Sequence, residues 1–97
     1  MISALVIRRF NVKANGAAHV VEAARLLDLP ALPLHGAVIV FEDGSGEAGV
    51  AGTRMRAWPS PRGTGVYPAA VEIRTGAEPG ERYERAVAAG WAPLESA

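Results

Sequence analysis

The sequence predicts an α+β two-layer sandwich, in which a mainly antiparallel sheet of about four strands carries two helices on one face. The length of 97 residues suits a single domain, residues 1–97. Four segments have the apolar patterning of strands, and two have apolar residues at helical spacing. Amphipathic helices bury their apolar stripe against another layer, so the predicted β-α-β-β-β-α order gives a two-layer fold.

The first two elements are predicted from periodicity. Residues 2–13 alternate and are rich in β-branched side chains, which predicts a strand. The dipeptide Asn15-Gly16 interrupts this pattern, and Asn15 suits a helix N-cap. An amphipathic helix is predicted over residues 17–29, because apolar residues fall there at i, i+4 and i+7. These residues are Val20, Ala24 and Leu27.

A hairpin is predicted after Pro30 and Pro33, which end that helix. The run Ala37–Phe41 is continuously apolar and has strand length, which favours a central position in the sheet. Residues 42–47 have turn composition. The alternating segment Val50–Trp58 is then predicted to pair with the preceding strand.

The segment Val66–Thr75 is predicted to be the next strand, following a Pro/Gly loop over residues 59–65. Pro68 indicates either an edge position or the beginning of this strand.

A second helix is predicted to open at Pro79-Gly80 and to close at Gly90. Trp91 and Leu94 then either fold back onto this helix or add a short edge strand.

Composition excludes several classes of protein. The chain has no cysteine, which excludes a disulfide scaffold, a thiolate metal site and a cysteine nucleophile. No apolar run approaches the roughly 20 residues of a membrane-spanning helix. The amino-terminal apolar segment precedes Arg8 and Arg9, unlike a secretory signal, so we expect a cytoplasmic protein. Residues with GC-rich codons dominate, which suggests a bacterial or phage origin.

The charge layout predicts a binding face. Formal charge is zero overall, but residues 1–15 and 51–75 each carry +3, whereas residues 16–50 carry −4 and residues 76–97 carry −2. Arginine and tryptophan are enriched at binding hot spots. The predicted partner-binding residues are on an open sheet face and the adjacent loop: Arg54, Arg56, Trp58, Arg62 and Arg74. The alternative is that these arginines only solubilise the surface, and zero net charge disfavours nucleic acid as the partner.

The sequence contains only weak matches to catalytic and cofactor-binding motifs. Residues 44–49 match G-x-G-x-x-G, but a strand-like segment follows instead of the helix that a dinucleotide site needs, which favours a hairpin turn. His19 and His35 lack metal-ligand spacing, and no serine lies in a nucleophile elbow. Glu72 is a candidate base, but a role as cross-strand partner of Arg54 or Arg56 is the simpler explanation. We therefore predict no catalytic residues, no metal and no cofactor.

Two segments resemble a known family. The stretch Ala69–Ile73 and the helix-like stretch Glu81–Trp91 are similar to a strand and a helix of the vicinal oxygen chelate family, the glyoxalase and bleomycin-resistance group. The resemblance implies a β-α-β-β-β module that pairs with a second module to form a ligand cup. Where that family has its metal-binding histidine and glutamate, this sequence has Ala4 and Pro68, which implies no metal.

Three functions are compatible with the sequence. The first is a non-enzymatic interaction module that docks a protein partner through the arginine-rich face and the Pro/Gly loop. The second is a homodimeric small-molecule binder or lyase-like protein of the chelate type, with a deep pocket containing Glu72 between the subunits. The third is an assembly component of a phage particle.

Overall fold

The computed structural model describes residues 2–56 and 70–94, with the backbone alone at residues 54–56 and 70. It contains six strands and one helix in these ranges. The elements, in chain order, are β1 (Ile2–Ala14), β2 (Ala17–Leu29), β3 (Val38–Phe41), β4 (Gly46–Arg56), β5 (Ala70–Pro79), α1 (Glu81–Ala88) and β6 (Ala92–Leu94).

All six strands form one mixed sheet in the order β3-β4-β5-β1-β2-β6. Neighbouring strands are antiparallel except for β1 and β5, which run parallel. The predicted α+β sandwich of about four strands and two helices is therefore wrong, because the described chain is mostly sheet with one short helix.

The error lies in residues 17–29, which form β2 instead of a helix. Asn15 and Gly16 both have positive φ, 53° and 76°, the backbone of a two-residue hairpin turn that favours Asn-Gly. The hairpin then pairs β1 and β2 over their full length, from Ala14 opposite Ala17 to Ile2 opposite Leu29. A continuous ladder outweighs three apolar residues at helical spacing. The β-α-β-β-β order that the family resemblance implies is thus not the order of this chain.

Two strand positions also differ from expectation. The apolar run that predicted a central strand forms β3 at the edge of the sheet, where Val38 and Val40 are 59% and 68% exposed. A hairpin between β3 and the next strand is confirmed, but its paired residues differ from the prediction. Strand β3 pairs with residues 46–49, whereas residues 52–56 of the predicted strand Val50–Trp58 pair with β5. Of the two alternatives that Pro68 indicated for the strand after the Pro/Gly loop, the edge position is wrong, since β5 lies between β4 and β1. Pro68 and the loop itself lie outside the described residues.

The second predicted helix is confirmed as α1, and the final segment adds β6 as an edge strand against β2. The Tyr83 ring on α1 meets the Phe10 ring edge-on, with centroids 5.5 Å apart. This contact fixes the helix on one face of the sheet.

That covered face holds the main core. Its buried members come from β1 to β5, α1 and the residue before β6, and they are Ala4, Val6, Phe10, Ala23, Phe41, Ala48, Val50, Ile73, Ala86 and Trp91. The opposite face buries a smaller cluster of Leu5, Ile7 and Ala24, with Leu94 packed against it. Because β2 and β3 both contribute to the main core although three strands separate them, the sheet is strongly curled.

Gly80 is predicted to be required for docking α1 on the sheet. A Cβ at this position would collide with the backbone carbonyl oxygen of Asn11 and lie 2.9 Å from the Val12 Cα. We expect Gly80→Ala to lower the free energy of unfolding by about 1–3 kcal/mol, as other overpacking substitutions do. Urea denaturation measures this loss.

The matched control is Gly76→Ala in β5, where a Cβ would meet no atom within 4 Å. We expect this variant to unfold within about 0.5 kcal/mol of the parent. Equal effects of the two substitutions would contradict the close approach of Gly80 to β1.

Candidate functional site

The curled sheet leaves a groove between the carboxyl-terminal part of β2 and strand β3. We call this cavity, about 390 Å³ in volume, the β2–β3 groove. Its lining residues are Arg25, Leu27, Asp28, Leu29, Pro30, Ile39, Val40, Phe41, Glu42 and Asp43. This volume lies within the roughly 300–1,000 Å³ of ordinary ligand pockets.

Both walls of the groove are strand edges. Strand β6 pairs with β2 only at Glu22–Ala24, so within the described ranges residues 25–29 have a strand partner, β1, on one side only. Among the described strands, β3 pairs with β4 alone. The Val50 N–H donates to the Ala37 carbonyl, at 2.8 Å. Because backbone direction alternates in an antiparallel ladder, the backbone groups of Val38 and Val40 point away from β4, toward the free edge.

Trp91 closes one end of the groove. Its indole Nε1–H donates to Asp43 Oδ2 at 2.8 Å, and its ring meets Phe41 edge-on with centroids 5.0 Å apart. From β2, Arg25 Nη1 donates to the same carboxylate oxygen at 3.0 Å and to the Ala89 carbonyl at 3.1 Å. These contacts join the two edges at this end.

The Asp43 carboxylate accepts the hydrogen bonds that close this end of the groove. Besides Trp91 and Arg25, it accepts the Ser45 backbone N–H on Oδ1 at 2.8 Å. Burial by itself raises the pKa of Asp43, but hydrogen bonds from Ser45 and Trp91 and the nearby Arg25 charge outweigh it and leave the pKa below its ordinary value. The carboxylate is therefore ionised at neutral pH.

A buried arginine supports the turn that carries Asp43. Arg8, on β1, is fully buried and donates to both carboxylate oxygens of Glu78, at 2.9 Å and 2.6 Å. It also donates to the Ser45 hydroxyl at 2.7 Å and to the Ser45 carbonyl at 3.1 Å.

Three aromatic rings surround the same guanidinium. The Arg8 Cζ lies 4.2 Å, 4.9 Å and 5.1 Å from the ring centroids of Phe41, Trp91 and Phe10. Such cation–π contacts strengthen when water is excluded. We call Arg8, Glu78, Ser45 and these three rings the Arg8 cluster.

The predicted partner-binding residues are only partly placed. Arg54 and Arg56 lie in β4, opposite Glu72 and Ala70 of β5, but only their backbone is described. Trp58 and Arg62 lie outside the described residues. The arginine-rich face therefore stays a prediction.

Arg74 is the one predicted binding residue whose side chain is described, and it makes two ion pairs. Its Nη1 lies 3.0 Å from Glu22 Oε2, and its Nη2 lies 3.0 Å from Glu72 Oε1. Glu72 is fully buried beside a small cavity of about 90 Å³, lined also by Gly52 and Thr53. A partner there would have to compete with existing pairs.

The remaining motifs have structural explanations. The G-x-G-x-x-G match lies in the β3–β4 turn and the start of β4, so the interpretation as a hairpin turn is confirmed. His19 lies in β2 and is exposed, as is His35. Across residues 2–56 and 70–94, no three acidic or histidine side chains are grouped to hold a metal ion. In the same ranges, no helix has the length and apolar character needed to cross a membrane.

Sequence reasoning did not identify the groove, although one signal pointed to it. Asn15-Gly16 between two alternating segments predicts a hairpin, and pairing residues 17–29 with residues 2–14 brings Arg25 to a strand edge. Compared with known proteins, the chain matches no family model, no curated protein and no solved structure.

Asp43 predicts a pH-dependent contribution to stability. A carboxyl whose pKa is lowered by folding stabilises the native state fully above its unfolded pKa of about 3.9, and this contribution is lost as pH falls through the lower native pKa. We expect Asp43→Asn to reduce the free energy of unfolding by about 1–2 kcal/mol at pH 7. Urea unfolding of both proteins between pH 7 and pH 3 checks this, because the difference should narrow below about pH 4. A difference that is constant with pH would contradict the assigned role of the carboxylate.

We expect a substitution in the Arg8 cluster to lower the free energy of unfolding by more than Asp43→Asn does. Arg8→Met leaves the Glu78 carboxylate buried, and among the described side chains its remaining cationic partner is Arg82, whose Nη1 lies 3.6 Å from Glu78 Oε1. We expect a loss of about 3–5 kcal/mol, typical of breaking one partner of a buried ion pair. Urea denaturation measures it.

Two further variants test whether that loss of stability comes from leaving the Glu78 charge buried without Arg8. Adding Glu78→Gln to Arg8→Met should recover part of the stability, because the amide carries no buried charge. Arg9→Met on the same strand should be nearly neutral, since Arg9 is exposed. A loss in Arg9→Met as large as in Arg8→Met would contradict the special role of the buried guanidinium.

Proposed function

We propose that this chain is a non-enzymatic interaction module that docks a protein partner by taking up an extended segment of that partner in the β2–β3 groove. The observation that carries the proposal is the pair of strand edges facing each other across the groove. An extended segment that adds to a sheet edge gains affinity from backbone hydrogen bonds and specificity from its alternate side chains.

The free edge of β3 suits this mode of binding. The strand carries no charged residue and no proline, which are the usual devices that protect an exposed edge from pairing. The outward backbone groups of Val38 and Val40 provide donors and acceptors for a segment lying in the groove.

The lining of the groove supports side-chain binding as well. Leu27, Leu29 and Ile39 pack only partly into the core and line the cavity. They offer apolar contact to every second side chain of an extended segment, because alternate side chains of a strand point to the same face.

The arginine-rich face predicted from the sequence remains a second predicted docking surface for this module, with Arg54, Arg56, Trp58, Arg62 and Arg74 as its expected members. The homodimeric small-molecule binder and the phage assembly component remain alternatives that the groove does not specifically favour. A cytoplasmic location stays a prediction from the cysteine-free composition.

The proposal is tested with a random heptapeptide library displayed on phage and selected on the immobilised full chain. Enriched sequences are synthesised and titrated, and amide hydrogen exchange of the protein is followed by NMR. We expect dissociation constants of micromolar order and slowed exchange at the Val38 and Val40 amides, because these donors become hydrogen-bonded in the complex.

Val40→Pro is the diagnostic variant. Proline removes the outward N–H of residue 40 while leaving the bonds to β4 intact, and it is tolerated at sheet edges. We expect at least tenfold weaker binding, which corresponds to about 1.4 kcal/mol for a lost hydrogen bond.

Val87→Ser serves as the matched control, because Val87 is an exposed valine on α1 that does not line the groove. It should bind as the parent does. The absence of enriched peptides, or unchanged affinity in Val40→Pro, would overturn the proposal.

A further inference from the structure

We infer that the segment taken up by the β2–β3 groove is basic as well as apolar, with arginine or lysine between its apolar residues. This inference rests on the proposed function and names the chemistry of the partner. It follows from the carboxylates at the groove and from what each of them contacts.

Three of the four charged lining residues are acidic: Asp28, Glu42 and Asp43, against Arg25. The Arg25 charge is already matched, because its Nη1 lies 3.0 Å from Asp43 Oδ2. A bound anion would therefore have to displace an existing ion pair, whereas a bound cation would not.

The other two carboxylates form no ion pair with a described residue. Asp28 accepts a hydrogen bond from the neutral Ser3 hydroxyl at 3.0 Å, and neither Asp28 nor Glu42 pairs with a described arginine or lysine side chain. One belongs to the β2 wall and the other directly follows β3. A segment lying between the walls would thus pass between two negative charges.

The net charge of the surrounding residues also favours a basic segment. Residues 16–50, which include both walls, carry a net charge of −4 although the whole chain is neutral. A concentration of one sign of charge around a cleft raises the association rate of oppositely charged partners. The groove is therefore complementary to a basic, apolar, extended segment.

Three synthetic hexapeptides test this inference against the full chain. All share the same alternating valines, and the intervening residues are arginine, citrulline or glutamate. Citrulline keeps the size of arginine without its charge. We expect the arginine peptide to bind about tenfold more tightly than the citrulline peptide, and the glutamate peptide to bind more weakly than both.

The carboxylates are assigned with paired variants. Asp28→Asn/Glu42→Gln should reduce the preference for arginine over citrulline to about twofold or less, since the charges are removed and the apolar lining is kept. The matched control, Glu81→Gln/Glu84→Gln, removes two carboxylates from α1, away from the groove, and should keep the full preference.

The outcomes separate the two proposals. Slowed exchange at the Val38 and Val40 amides with equal affinity for arginine and citrulline would overturn the charge inference and leave the groove as a docking site. A preference for arginine that survives Asp28→Asn/Glu42→Gln would overturn the assignment of this preference to the two carboxylates, on which the inference is argued. No slowed exchange with any peptide, including those selected from the library, would overturn the proposed function itself.

Discussion

The rest of the structure depends on burying the Arg8 guanidinium. A buried charge is tolerated only when it is paired and its hydrogen-bonding groups are satisfied, and here Glu78 from β5 and Ser45 from the β3–β4 turn meet this demand. Strand β1, the β3–β4 turn and strand β5 are far apart in sequence. The contacts that the Arg8 side chain requires therefore fix how the two hairpins and β5 meet. The aromatic rings around it exclude water and add contact to the cation.

This requirement explains where the groove lies. Since Ser45 is held by Arg8, the β3–β4 turn is fixed, and Asp43 can accept hydrogen bonds from Trp91 and from Arg25 on β2. The sheet edges are joined at that end, where Trp91 is almost fully buried. Beyond Trp91, the same two strand edges separate and form the β2–β3 groove. The opening of the groove therefore depends on the contacts of Arg8 and Asp43 at its closed end.

About half of the fold could be predicted from local patterns. Strand β1, helix α1 and the existence of a hairpin after β3 follow from alternation, from Pro79-Gly80 and from the turn composition of residues 42–47, although β4 already begins at Gly46. Residues 17–29 could not be assigned from apolar spacing, because the alanines in this segment are compatible with the spacing of a helix and with that of a strand. The Asn15-Gly16 turn predicts the observed hairpin better. The groove could not be predicted, since it arises from strands that meet only through sheet curvature.

The parallel pairing of β1 with β5 has a consequence for how the chain folds. The hairpins β1–β2 and β3–β4 share no ladder, and β5 alone lies between them in the sheet. Each hairpin is a local structure, but their union awaits a strand encoded about 70 residues after the first. Such a high contact order slows folding. Until β5 leaves the ribosome, a nascent chain therefore lacks the strand that unites its two hairpins, and an isolated two-stranded hairpin is only marginally stable in water.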